Sequence, residues 1–192
     1  MDKICLFDLD GTLADYEGSM RGVLKEINPP DFEVPLDLYN APEYVQKQMD
    51  LIKNKPGFWE NLKPLKAGFE ILQIAQAIGY TIMVLSKGPG KCAAAWSEKV
   101  LWCQRYVSGV GITLTHACNN EKHKGLVYGR VLVDDYPPYI EQWLEFRTRG
   151  LVIMPTTPLN QSFNHPNVFH YHTNENQVYE MTQKLLEAFD RS

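Results

Sequence analysis

Four short stretches, Ile4–Phe7, Tyr80–Leu85, Val131–Val133 and Leu151–Met154, are apolar at nearly every position. A strand with one wet face alternates apolar and polar residues, so strands of this texture are buried on both faces. Between them lie segments of helical period. Phe69, Leu72, Ala75 and Ile78 recur at helical spacing through Ala67–Ile78, with Gly79 as a stop. Cys92–Tyr106 reads as a further helix, and Asn176–Phe189 as an amphipathic one. Gly111–Leu114 is another strand candidate, and Val168–His170 a short edge strand. Buried strands alternating with helices specify an α/β fold, a parallel sheet flanked by helices on both faces. At 192 residues and 44% hydrophobic, the chain suits one such domain with a small insertion.

The insertion falls after the first strand. Residues 16–62 carry Pro29, Pro30, Pro35, Pro42 and Pro56, with Tyr39, Tyr44, Phe58 and Trp59 interleaved. Ser19–Ile27 has helical composition, and Glu43–Lys53 puts Val45, Met49 and Ile52 on one helical face. The apolar and aromatic content argues against a disordered loop. The expected division is a core of residues 1–15 and 63–192 and a small, mostly helical cap of residues 16–62.

Three of the buried strands hand over to polar residues. The first stops at Asp8-Leu9-Asp10-Gly11-Thr12, the Tyr80–Leu85 strand at Ser86-Lys87-Gly88, and Val131–Val133 at Asp134-Asp135. In parallel sheets, ligands sit beyond the carboxyl ends of the strands. Side chains on a strand alternate faces, but past the strand end the backbone bends. Gly11-Thr12 allows a tight turn there, so Asp8 and Asp10 can point into one small site. Close carboxylates resist ionising together unless a cation joins them or one holds a proton. One can then act as nucleophile and the other as general acid/base.

Composition limits the alternatives. The formal net charge is −4 and no run of Lys or Arg stands out, which argues against an extended nucleic acid as partner. The four cysteines show no Cys-x-x-Cys or zinc spacing and suit a reducing, cytoplasmic location. No stretch reads as a signal peptide or a membrane span. A monomer or a homodimer fits equally.

Asp8-Leu9-Asp10-Gly11-Thr12 resembles the first motif of the haloacid dehalogenase-like (HAD) phosphohydrolases. The resemblance implies a Rossmann-like sheet, an aspartyl-phosphate intermediate and Mg²⁺ as cofactor. On it, Asp8 is the nucleophile and Asp10 the acid/base, a residue that marks the phosphatases of the family. Ser86 fits the second motif, which holds phosphoryl oxygens, and Lys87 either adds charge there or faces solvent. For the lysine of the third motif, Lys124 is ten residues before Asp134, the spacing of the 5′(3′)-deoxyribonucleotidase branch; Lys122 is then a surface charge. Asp134 and Asp135 resemble the fourth motif. With Asp8 and the backbone carbonyl of Asp10 they would bind Mg²⁺, Asp135 as the direct ligand and Asp134 through water or by holding Lys124.

Pro56-Gly57-Phe58-Trp59 and Leu62-Lys63-Pro64-Leu65 are similar to a block of that same branch. Departures are Thr12, Lys87, and Asn120-Glu121-Lys122-His123 before the lysine, the last of which bears on substrate preference. Tyr16, Phe58 and Trp59 are the candidates for stacking a base; the competing reading makes Phe58 and, above all, Trp59 cap-core residues packing on the main body. The expectation is a Mg²⁺-dependent phosphatase of small-molecule nucleoside monophosphates. Alternatives are a phosphatase of another small ester or of 3′-phosphate nucleic-acid ends, and a silent nucleotide-binding protein.

Overall fold

The computed structural model describes residues 2–117 and 123–191. Its centre is a six-stranded, all-parallel sheet in the order β3-β2-β1-β4-β5-β6. The strands are β1 (Ile4–Phe7), β2 (Thr81–Pro89), β3 (Gly111–Ala117), β4 (Val131–Val133), β5 (Leu151–Pro155) and β6 (Val168–Tyr171). The helices are α1 (Tyr16–Ile27), α2 (Glu43–Lys53), α3 (Lys66–Ile78), α4 (Ala93–Tyr106), α5 (His123–Leu126), α6 (Pro137–Phe146) and α7 (Glu175–Asp190). Strand order reverses between β1 and β4, which opens a crevice at their carboxyl ends.

Period-two alternation explains why the strands look continuously apolar. Cys5, Phe7, Val131, Val133 and Ile153 face one core, shared with α3, α4 and α7. Leu6, Leu132, Val152 and Met154 face the other, filled by Ile140, Trp143 and Leu144 of α6. Both faces are dry, so every position is apolar.

α1 and α2 form a unit with a core of its own: Met20, Leu24, Leu38, Val45, Met49 and Ile52. The chain leaves and re-enters the main body at one paired point. Asp15 N donates to Lys63 O and Leu65 N to Leu13 O, each at 2.8 Å. α1 starts three residues earlier than composition suggests, because the Asp15 carboxylate accepts from Gly18 N and caps its first turn.

β2 also differs from its expected extent. It continues through Ser86, Lys87 and Gly88 to Pro89, paired residue for residue with β3. Its other neighbour, β1, stops at Phe7 opposite Val84. Beyond that point β1 no longer pairs with β2, and Ser86 is presented there from a strand rather than from a turn. Among the described residues, no helix is long and apolar enough to cross a membrane.

Candidate active site

The carboxyl ends of β1, β2 and β4 meet in a buried polar cluster. Asp8 N donates to Val133 O, which extends the sheet ladder to Asp8 and fixes it beside β4. The chain then closes a tight loop in which Leu13 N and Ala14 N both donate to Leu9 O. Gly11 makes the loop possible. Its φ is +83°, and a Cβ there would run into the Asp135 carboxylate. Thr12 is buried and its hydroxyl donates to Asp135 Oδ1 at 2.9 Å.

Asp8, Asp134 and Asp135 each bring a carboxylate oxygen within 4.8 Å of the others. Lys124, buried among them, donates to Asp8 Oδ1 at 2.7 Å and to Asp134 Oδ2 at 2.9 Å. Asp134 Oδ1 accepts from Tyr136 N, so both of its oxygens are engaged. Lys122 and the rest of residues 118–122 lie outside the described residues.

Charge in this cluster is unbalanced. Burial pushes the Asp134 carboxyl up to about 7, against the pull of Lys124. Asp135 rises well above the usual carboxylate range through burial, then through the neighbouring Asp134 and Asp8 charges. Asp10 is raised by burial, held back by Lys99 and raised further by Asp8. Burial works against the Lys124 ammonium, but Asp134 and Asp8 outweigh it and raise its pKa. The clustered oxygens of Asp8, Asp134 and Asp135, with Asp134 and Asp135 buried and raised, fit a hard divalent cation.

Lys99 is the residue the sequence reading missed. It is fully buried and extends from α4 to Asp10 Oδ2 (2.5 Å), Ser86 Oγ (3.0 Å) and Lys87 O (2.7 Å). A signal for it exists. Ala95, Glu98, Lys99, Trp102 and Cys103 form the buried stripe of α4, so two charges stand where helical spacing calls for apolar residues. Its neighbour Glu98 accepts from Gly57 N (2.8 Å) and Trp59 N (3.0 Å), which fastens that turn to the main body.

Of the three aromatic candidates, Trp59 is buried in the main core, with its indole N–H on Lys53 O. Tyr16 stacks on it at 5.5 Å and Phe58 packs edge-on at 5.3 Å. The three rings pack against one another. A cavity of about 280 Å³ lies on the other side of Tyr16. Gly11, Asp135, Tyr39, Tyr136 and Asn160 are among its walls; Phe58 and Trp59 are not. Tyr39, from the loop between α1 and α2, stacks on Tyr136 at 4.7 Å. Asn160 is buried and donates to Asp135 O and Pro155 O, which ties the loop after β5 to the site. Lys87 and Lys124 both hold their ammonium groups over the Tyr139 ring, at 4.7 and 4.5 Å.

Comparison with known proteins is consistent with this geometry. A candidate 5′(3′)-deoxyribonucleotidase of Vibrio phage KVP40 is 33% identical over 139 residues, which cover 69% of this chain and 65% of that protein's length. Among solved structures, a haloacid dehalogenase-like hydrolase candidate from Burkholderia xenovorans LB400 superimposes with a TM-score of 0.55. The match has 14% identity and covers 96% of this chain and 99% of that one. A crystal structure of a dehalogenase gives 0.52 at 10% identity, covering 94% and 96%. At such identities the two structures establish the HAD-like α/β fold alone. The family model for the 5′ nucleotidase, deoxy (pyrimidine), cytosolic type C protein (NT5C) matches residues 2–185, and the chain belongs to that family.

Proposed function

We propose that the protein is a Mg²⁺-dependent phosphatase of nucleoside monophosphates, deoxyribonucleotides foremost, and that residues 16–62 serve as its cap. One observation carries this reading: Asp8, Asp10, Ser86, Lys124, Asp134 and Asp135 converge at the ends of three adjacent parallel strands. Family membership supports the substrate class. The cavity beside the acids, about 280 Å³, is just under the ~300–1,000 Å³ range of small-ligand sites.

Asp8 attacks phosphorus with the oxygen that Lys124 does not hold. An oxygen–phosphorus bond forms as the bond to the nucleoside oxygen breaks. Asp10 passes its proton to the departing oxygen and becomes a carboxylate. It then takes a proton from water as the water oxygen attacks the aspartyl-phosphate and releases Asp8. Ser86 and Lys124 hold the phosphoryl oxygens through the change of geometry. Asp8, Asp135 and the Asp10 carbonyl would hold Mg²⁺, with Asp134 locking Lys124. The ion, when bound, neutralises the acids and draws charge from the phosphoryl group. The base would enter the cavity between Tyr16 and the Tyr39–Tyr136 pair. A cytosolic location belongs to this reading, supported by the free, buried thiols of Cys5, Cys92 and Cys103.

Phosphate release from a panel of 5′-deoxy, 5′-ribo and 3′-monophosphates, with Mg²⁺ and with EDTA, tests the proposal. Metal-dependent release with a preference for deoxynucleotides is expected. Equal rates on nucleotides and on glycerol phosphate would overturn the substrate class. No release from any ester would overturn the enzyme.

A further inference from the structure

We propose that Lys99 is a positioning residue for the leaving-group acid: it pins Asp10 Oδ2, so that Oδ1 alone carries and delivers the proton. This rests on the phosphatase reading and assigns a second lysine to the same site.

A lysine ammonium has three N–H donors and no acceptor. Lys99 points all three at protein groups, namely Asp10 Oδ2, Ser86 Oγ and the Lys87 carbonyl. None remains for a phosphoryl oxygen. Among the described residues Lys124 spends two, on Asp8 and Asp134, and keeps one. The two buried lysines thus divide the work: Lys124 can touch substrate, and Lys99 can act only through the groups it holds.

What it holds fits a positioning role. Asp10 Oδ1 is buried with no hydrogen-bond partner among the described residues, while Oδ2 is held by Lys99. An orphaned buried acceptor is costly unless something occupies the site beside it. In the first half-reaction the P–O bond to the alcohol breaks as the Asp8–phosphorus bond forms. The proton on Oδ1 then passes to the alcohol oxygen, and Asp10 is left as a carboxylate paired with Lys99. Ser86 is set by the same ammonium. Its oxygen accepts from Lys99, which directs its own O–H away, towards the edge of β2 beyond its pairing with β1, where a phosphoryl oxygen would lie. The Trp59 ring, 4.6 Å from the ammonium, closes the site from the cap side.

The test replaces Lys99 by Met, close in volume and without donors, and measures kcat and KM on three esters. A nucleoside monophosphate and glycerol 3-phosphate have alkoxide leaving groups that need the proton; p-nitrophenyl phosphate does not. Neither of the last two carries a base, so the leaving-group comparison stands even if the nucleotide preference fails. General acids contribute roughly 10²–10⁴-fold. We expect Lys99→Met to lower kcat/KM, which reports the leaving-group step, on both alkyl esters by about 100-fold, and on p-nitrophenyl phosphate by less than about 10-fold. In the Asp10→Asn background the same change should add no further loss on the alkyl esters. Equal losses on all three esters, or an additive loss in the double variant, would overturn the proposal. A second measurement needs no turnover. Crystals soaked with inorganic phosphate and Mg²⁺ should show Asp10 turned away from the phosphate in Lys99→Met, and an unmoved carboxylate would refute the role. Should Lys99→Met not fold, Lys99→Gln, which retains a donor for Lys87 O, carries the same comparisons.

Discussion

The strand-end rim and the two-helix unit of residues 16–62 are built on opposite logics. At the rim, polar groups are held by the sheet and by one another. Asp8 extends the ladder onto β4, Thr12 holds Asp135, and Asp134 is engaged at both oxygens. The two-helix unit has a six-residue core of its own and meets the rim mainly through side chains. These are Tyr39 on Tyr136, Trp59 beside Lys99, and the Gly57–Trp59 turn on Glu98. A rim of this kind preserves one chemistry, since moving any member unbalances several buried charges. A unit that docks by rings and one carboxylate can vary without disturbing the acids behind it, as the proposed cap role requires.

The largest effect should come from breaking the rim. On the proposed mechanism Asp8→Asn removes the nucleophile and almost no volume, so turnover should vanish while the melting temperature stays near wild type. Phosphate release above about a hundredth of the wild-type rate would assign the nucleophile elsewhere, since such losses normally span several orders of magnitude.

Next is the fastening between the two regions. Glu98 is buried and accepts from two backbone N–H groups. Glu98→Ala would leave both donors unpaired in a site water barely reaches. A loss of about 3 kcal/mol is expected from hydrogen bonds to a charged group, or about 6–12 °C in Tm for a chain of this size. A calorimetric scan of Glu98→Ala with Tm within a degree of wild type would show that the turn is held by Trp59 packing alone.

These expectations also show how unevenly the chain discloses itself. The parallel sheet was legible because strands buried on both faces cannot alternate, and Leu6 and Phe7 must both be apolar to fill different cores. The strand-end acids were legible because a topological crevice gathers whatever follows β1 and β4. Ser86 was identifiable as a residue but not as part of a strand. Only the longer β3, pairing as far as Ala117, keeps β2 extended past it. Lys99 is 13 residues beyond Ser86, on a helix whose charged stripe looks solvated until the helix is placed. The Tyr39–Tyr136 pair joins a loop of one region to a turn of the other, and no local pattern encodes such a contact.

That pair supplies a sharper test of the comparison. Tyr39→Ala should raise KM for nucleotides by the value of one stacking interaction, ~1–3 kcal/mol or roughly 5- to 150-fold. The p-nitrophenyl ester, which has no base, should be spared, and Tm should barely move because Tyr39 is half exposed. Phe58→Ala should behave oppositely, lowering Tm and affecting both substrates alike, since Phe58 packs on Trp59 and does not line the cavity. If Phe58→Ala proves selective for nucleotides and Tyr39→Ala does not, the base binds against Phe58 instead.

The smallest effect is in the proton balance of the rim, and its sign is fixed by the geometry. The Asp134 carboxyl is held up to about 7 in the folded protein, and Asp10 and Asp135 move in the same direction. An unfolded aspartate titrates near ~3.9. Between those values the metal-free folded protein binds a proton that the unfolded chain does not. The stabilisation from this group is therefore full below about pH 4 and is lost as pH rises through about 7. One proton over one pH unit is worth about 1.4 kcal/mol, or about 3–5 °C at this chain length. Added Mg²⁺ competes with that proton, so it should raise Tm more at pH 8 than at pH 6. In the Asp134→Asn variant the difference between the two pH values should shrink. An Mg²⁺ shift that is equal at both would mean that the cation binds away from the acids of β1 and β4, and the rim would then owe its balance to Lys99 and Lys124 alone.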